Sequence, residues 1–111
     1  MDLTEFAAAV GGEGPVTISG LGTRGGPVAG VRCVHAPAGI EWVQADEMIV
    51  SCGAGTRVDE LVAALAAHHQ TVALPAGGTV GGALSVGHGD LRRLGYGPVR
   101  DVLLQARYVS A

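Results

Sequence analysis

Glycine is the residue type in this chain best placed to do chemistry, because it clusters where backbone N–H groups can be turned toward an anion. Gly20-Leu21-Gly22-Thr23-Arg24-Gly25 follows the β-branched run Val16-Thr17-Ile18-Ser19, and Gly77-Gly78-Thr79-Val80-Gly81-Gly82 opens a short apolar segment. Backbone that bends sharply or approaches a ligand closely uses glycine for that purpose. The first cluster can aim successive N–H groups at a phosphate as a backbone nest, or serve as an ordinary loop. In the second, Thr79 suits an N-cap, and the free N–H groups and dipole of the helix start favour an anion. Tight packing of helix on sheet accounts for the same glycines equally well. Gly81 and Gly82 each cost a helix about 1 kcal/mol, which close approach of a ligand or of another backbone would explain. A third stretch, from Gly87-His88-Gly89-Asp90 through Arg92-Arg93 to Gly95-Tyr96-Gly97, sets two cations in a glycine-bounded loop, either facing phosphate or solvated.

Other chemistries find less support. Gly20 to Gly25 fits GxGxxG, and Glu41 lies where a ribose-binding acid would sit in a Rossmann site. That fingerprint must open a helix, since the helix N-terminus holds the pyrophosphate. Gly26-Pro27-Val28-Ala29-Gly30 cannot be one. A GxxxxGK[ST] loop is excluded because the chain has no lysine. Cys33-x-His35 offers two metal ligands without a third or fourth at familiar spacing, so no metal is expected. His68 and His69 are adjacent on a helix and point about 100° apart, so they do not chelate together. Cys52 suits a small core residue. The acidic pairs Asp46-Glu47 and Asp59-Glu60 suit solvated faces, and no catalytic acid or base emerges.

The elements that must position the glycines are legible from local pattern. A helix is expected from Leu3, Phe6, Ala7 and Val10 at i, i+3, i+4, i+7. Strands are expected at Val16–Ser19, Val31–His35, Met48–Cys52, Thr71–Leu74 and Val102–Val109, the last with Val102, Leu104, Ala106 and Tyr108 on one apolar face. Thr56-Arg57-Val58-Asp59 resembles a capping box opening a helix with Val58, Leu61, Val62 and Leu65 on one face and His68-His69 at its end. Val80 to Val86 is expected to be a short helix. Ala36 to Glu47 is mixed, with Trp42 packing. The order αβ–β–βα–β–α–β implies an α/β or α+β class.

Composition bounds the rest. The chain has 111 residues with 19 glycines and 5 prolines, 48% hydrophobic residues and a net charge of −3. One domain is expected. Low charge and high apolar content argue against disorder. An acidic balance lacks the electrostatic source of nonspecific nucleic-acid binding. No apolar run approaches the roughly 18–20 residues that cross a bilayer. No signal peptide is visible, and two cysteines make no disulfide scaffold, so a cytoplasmic location is expected.

In order, these pieces resemble a flavin-binding domain of the vanillyl-alcohol-oxidase type, the PCMH-type FAD domain. Val16 to Arg24 resembles that family's strand and pyrophosphate loop. Met48-Ile49-Val50-Ser51-Cys52-Gly53-Ala54-Gly55, continuing to Asp59-Glu60-Leu61, resembles its V-x-x-G-A-G-x-x-x-x-E-L strand and helix. Thr79-Val80-Gly81-Gly82-Ala83-Leu84, with Arg92 through Asp101, resembles the T-I-G-G-x-L … R-x-G-x-x-R-D segment of glycolate oxidase FAD-binding subunits and related D-2-hydroxyacid dehydrogenases.

The resemblance implies non-covalent FAD as cofactor, held for oxidation of a small 2-hydroxyacid such as glycolate. It implies that Gly20, Leu21, Gly22, Thr23 and Arg24 line the diphosphate and that Thr79, Gly81 and Gly82 contact it from the second loop. Gly87 and His88 would lie nearer the flavin ring, although many relatives carry an Asn-Ala-Gly-like stretch there. It further implies that residues 1–111 form a single, incomplete FAD-binding domain without the cap domain that shapes the substrate site. Association with other oxidase subunits belongs to the same expectation. Two other readings compete: a non-enzymatic module that kept the fold without cofactor, and an NAD-type domain, disfavoured by the missing helix after Gly25.

Overall fold

The computed structural model describes residues 2–87 and 89–110, leaving aside the side chain of residue 93. Helix α1 (Thr4–Val10) buries Val10 and ends at Gly11, whose φ of 66° is open to glycine. Strand β1 (Val16–Ile18) pairs in parallel with β2 (Arg32–Val34), Val16 opposite Arg32 and Ile18 opposite Val34. The connection between them carries the first glycine cluster. The Arg32 guanidinium ties β2 back to α1 through the carbonyls of Ala9 and Val10. Strands β3 (Ile40–Gln44) and β4 (Ile49–Cys52) form an antiparallel hairpin closed by a 3₁₀ turn at Ala45–Glu47. The fold is thus mixed, with two small two-stranded sheets and short helices.

Helix α2 (Val58–Ala66) supplies the centre of the core. Val58, Leu61 and Leu65 recur at helical spacing and are buried together with Leu74, Val80, Ala83 and Val99. Ile40, Val43, Val50 and Cys52 of the hairpin pack against this cluster. The helix closes in a Schellman pattern: Gln70 N–H donates to Leu65 O at 3.1 Å and His69 N–H to Ala66 O at 3.0 Å, with His69 left-handed at φ 57°. Helix α3 (Val80–Val86) follows the second glycine cluster, and α4 (Arg93–Tyr96) and a 3₁₀ turn at Val99–Val102 complete the described elements.

Four local expectations are corrected. Strand β3 occupies part of the stretch expected to be mixed. A bulge between Ile40 and Trp42 breaks its alternation, so Ile40 and Val43 face the core while Trp42 stays 47% exposed. Thr56 does not cap α2. Its buried hydroxyl accepts from Gly39 N at 2.9 Å and donates to Gly39 O at 3.2 Å, while Arg57 takes the cap position without a side-chain bond. Thr71–Leu74 is no strand. Among the described residues no neighbour pairs with it, and the Arg92 guanidinium takes the carbonyls of Val72 and Leu74 instead. Residues 103–110 form no strand either. Without a ladder partner, Leu104 and Tyr108 stand 78% and 83% exposed, so the expected apolar face covers nothing.

Candidate functional site

The two glycine clusters, far apart in sequence, lie against each other. A third run, Gly53-Ala54-Gly55, brings them there. Gly53 N–H donates to Gly39 O at 2.9 Å and Gly55 N–H to Pro37 O at 2.8 Å, joining β4 to the segment leaving β2. From the other side, Gly81 N–H donates to Ala54 O at 2.7 Å, Val80 N–H to Thr56 O at 2.9 Å and Val58 N–H to Gly78 O at 3.0 Å. A side chain on Gly53 would strike the Pro37 carbonyl, one on Gly55 the Ala36 carbonyl, and one on Gly81 would lie 2.8 Å from the Ala54 Cβ. Main chain stacks on main chain with no space for a methyl group.

The first cluster then reaches the second. A Cβ on Gly20 would sit 2.9 Å from Thr79 Oγ1, and one on Gly78 would meet Arg24 Nη1 and lie 2.6 Å from Thr23 Oγ1. Gly82 faces Thr79 Oγ1 and Arg24 Nη1 at 3.1 and 3.5 Å from the same virtual position. Among the described residues, none of the six backbone N–H groups from Gly20 to Gly25 is spent on a hydrogen bond. Gly22 is left-handed at φ 74°. Arg24 is half-buried, with Thr23 Oγ1 at 3.3 Å as its hydrogen-bond partner and no carboxylate beside it among the described residues. An unpaired guanidinium beside unspent N–H groups attracts an anion with several acceptor oxygens.

The expected site residues fall into three groups. Gly20, Gly22, Thr23 and Arg24 form the first wall, with Leu21 exposed beside them. Thr79, Gly81 and Gly82 form the second. Thr79 is the N-cap of α3, its hydroxyl accepting from Gly82 N at 3.1 Å. The N–H groups of Val80, Gly81 and Gly82 are therefore occupied within the protein, and the unspent donors of this wall are those of Gly78 and Thr79. Gly87 is not brought to this face. It closes α3 in the left-handed conformation at φ 67°, about 10 Å along the helix by its rise per residue. His88 lies outside the described residues.

The remaining candidates are accounted for by structure. Arg92 does not lie free. It bonds Asp90 at 3.1 Å as well as the Val72 and Leu74 carbonyls, and its hydrogen bonds hold the Asp90 carboxyl below its ordinary pKa. Burial pushes the Cys52 thiol up, which suits a core residue rather than a nucleophile. No three His, Cys, Asp or Glu side chains among the described residues are placed to hold a metal. One concavity of about 500 Å³ lies along α2 beside Asp90 and Arg92, and another of about 310 Å³ lies between α1 and His35-Pro37. Neither is lined by the two glycine walls. No helix among the described residues is long and apolar enough to cross a membrane.

A strand, a glycine loop that does not open a helix, and a second glycine loop closing on the first make an anion-attracting backbone face that departs from the Rossmann arrangement. Residues 25–28 indeed have no helical structure. The family model described as FAD binding domain matches residues 15–111, so this chain belongs to the FAD-binding domain family, in keeping with the PCMH type. The matched span begins just before β1 and takes in all three glycine runs. Searches of curated proteins and of solved structures returned no match. The residues fit this cofactor: FAD carries a diphosphate, and the walls offer unspent N–H groups, an unpaired Arg24 and a surface free of Cβ atoms at Gly20, Gly78 and Gly82. The chain is accordingly an FAD-binding part of a flavoprotein, in a family typical of FAD-linked oxidoreductases.

Proposed function

We propose that the chain holds FAD non-covalently, gripping its diphosphate between Gly20–Arg24 and Gly78–Gly82, as the cofactor-bearing part of an oxidoreductase acting on a small 2-hydroxyacid such as glycolate. The observation that carries this is the placement of Arg24 against Gly78 and Gly82, beside a loop whose N–H groups are unspent. The backbone of Gly20, Leu21, Gly22 and Thr23 donates to the phosphate oxygens. Arg24 neutralises their charge. Thr79 keeps its hydroxyl at the seam, Gly82 permits close approach beside Arg24, and Gly81 acts from behind by seating against Ala54. Gly87 and His88 are assigned toward the flavin ring by family resemblance. FAD, when bound, supplies the two-electron redox chemistry, and the protein supplies binding, orientation and electrostatics. The 2-hydroxyacid rests on the likeness of Thr79–Leu84 and Arg92–Asp101 to glycolate oxidase subunits. A cytoplasmic setting, where Cys33 and Cys52 stay reduced, and association with further oxidase subunits complete the proposal.

Flavin titration tests it. FAD and ADP should compete for one site and riboflavin should not, because the anchor is the diphosphate. Arg24→Ala should weaken FAD about 10- to 100-fold, the loss of charge-assisted hydrogen bonds, with little change in folding. Equal binding of riboflavin and FAD would remove the diphosphate grip. Non-covalent attachment is checked separately by acid precipitation of the flavin-loaded protein. Thr23-Arg24 and Ala76-Gly77-Gly78 offer no imidazole or thiol where covalent relatives carry one. The yellow colour should therefore stay in the supernatant, and colour fixed to a peptide in the pellet would refute this.

A further inference from the structure

His35 stands two residues from Cys33 at a spacing that offers two metal ligands, and in the structure its ring does different work. The β1–β2 ladder runs one residue beyond β1, where Ser19 N–H donates to Val34 O at 2.9 Å. In a regular parallel pair the Ser19 carbonyl would next accept from the backbone N–H of residue 36. Instead His35 Nδ1 lies 2.9 Å from Ser19 O. A carbonyl only accepts, so Nδ1 carries a proton and donates it to Ser19 O. Ser19 is thus held at both its N–H and its C=O, on the last residue before the glycine loop.

The Ser19 carbonyl and the Gly20 N–H belong to one planar trans peptide and point in opposite directions. Holding the carbonyl toward His35 therefore aims the Gly20 N–H away from it. Gly20 N–H is the first of the unspent donors in the loop, and Gly20 is the residue seated against Thr79. We propose that His35 is a positioning residue for the diphosphate loop, fixing the Ser19–Gly20 peptide so that the Gly20 N–H is aimed before any ligand arrives. This rests on the diphosphate reading above. Its effect is preorganisation: less ordering of the loop is left to be done on binding.

The test uses the 111-residue chain with three variants. His35→Asn keeps an N–H donor close to the position of Nδ1. His35→Gln moves the donor one carbon further, and His35→Ala removes it. FAD affinity should fall about three- to tenfold in His35→Ala and His35→Gln, the worth of one hydrogen bond, and stay near wild type in His35→Asn. In ligand-free wild type, long-range ¹H–¹⁵N spectra should show the Nδ1–H tautomer. An Nε2–H tautomer would overturn the proposal, as would His35→Ala binding FAD like wild type or His35→Asn falling as far as His35→Ala. Should wild type itself bind no FAD, the diphosphate reading fails and takes this inference with it. Wild type that binds alongside an equally competent His35→Ala sinks this inference alone. If His35→Ala does not fold, the Asn-to-Gln contrast and the wild-type tautomer still decide.

Discussion

Gly22→Val should yield a folded protein with no measurable FAD binding. Gly22 holds φ 74°, a region that a β-branched residue adopts only with strain. A Cβ there would meet Gly25 O at an ordinary 3.6 Å, so the obstacle is conformational rather than a clash with the core. Valine would drive residues 21–23 toward extended backbone and turn the unspent N–H groups away from a common point. Its branched side chain would also cover the face along which a diphosphate approaches. The core lies at Val58, Leu61, Leu65 and their neighbours, none of them in this loop, so thermal unfolding should change little. Gly22→Asn is the informative control, since asparagine tolerates the left-handed region and should keep much of the affinity. Binding is read by flavin fluorescence quenching. Full FAD stoichiometry in Gly22→Val would remove this loop from the site.

Gly53→Ala should cost about 2–4 kcal/mol of stability. The added Cβ would strike the Pro37 carbonyl oxygen, with Pro37 C at 2.6 Å and Ala38 N at 3.1 Å. These are backbone atoms, so no flexible side chain can swing away. Overpacking of this kind costs about 1–3 kcal/mol. Separating the two segments also weakens the bond from Gly53 N–H to Gly39 O, worth about 1 kcal/mol. Total stabilities of about 5–15 kcal/mol make that a large fraction. The same displacement pulls the Ala54 carbonyl from Gly81 N–H and opens the seam between the glycine walls, so FAD affinity should fall with stability. Gly12→Ala is the matched control: nothing lies within 4 Å of its Cβ position, and its unfolding curve should overlay wild type. Denaturant melts compare the three proteins, and a Gly53→Ala curve superimposed on wild type would refute the tight backbone seam.

Helices α1, α2 and α3 and strands β1, β2 and β4 were legible because each depends on a pattern completed within a few residues: helical spacing at Val58, Leu61 and Leu65, β-branching at Val16–Ile18, a capping hydroxyl at Thr79. Strand β3 was not legible, because its bulge shifts Ile40 and Val43 onto one face and erases the period of two. Thr71–Leu74 and Val102–Val109 have strand composition, but a strand exists only where a neighbour completes its ladder, and neighbours are not encoded locally. The Schellman closure at His69 carried no glycine or asparagine to announce it.

What the sequence determined by itself was the material of the site: three glycine runs, a capping threonine, one arginine in the first loop, and an order of motifs that places the chain among FAD-binding domains. Glycine and threonine signal locally because backbone freedom and capping are properties of one residue and its nearest turn. Tertiary structure alone decided which donors are free. Gly81 N–H goes to Ala54 and Gly82 N–H to Thr79, whereas the N–H groups of Gly20–Gly25 stay unspent, and Arg92 is consumed by carbonyls while Arg24 is not. Each backbone N–H can serve one strong acceptor, and which acceptor comes within about 3 Å depends on chain segments tens of residues away. The glycines therefore announce flexible, closely approachable backbone in one dimension, and the seam through Gly53, Ala54 and Gly55 decides in three which of their N–H groups stay free to meet a ligand.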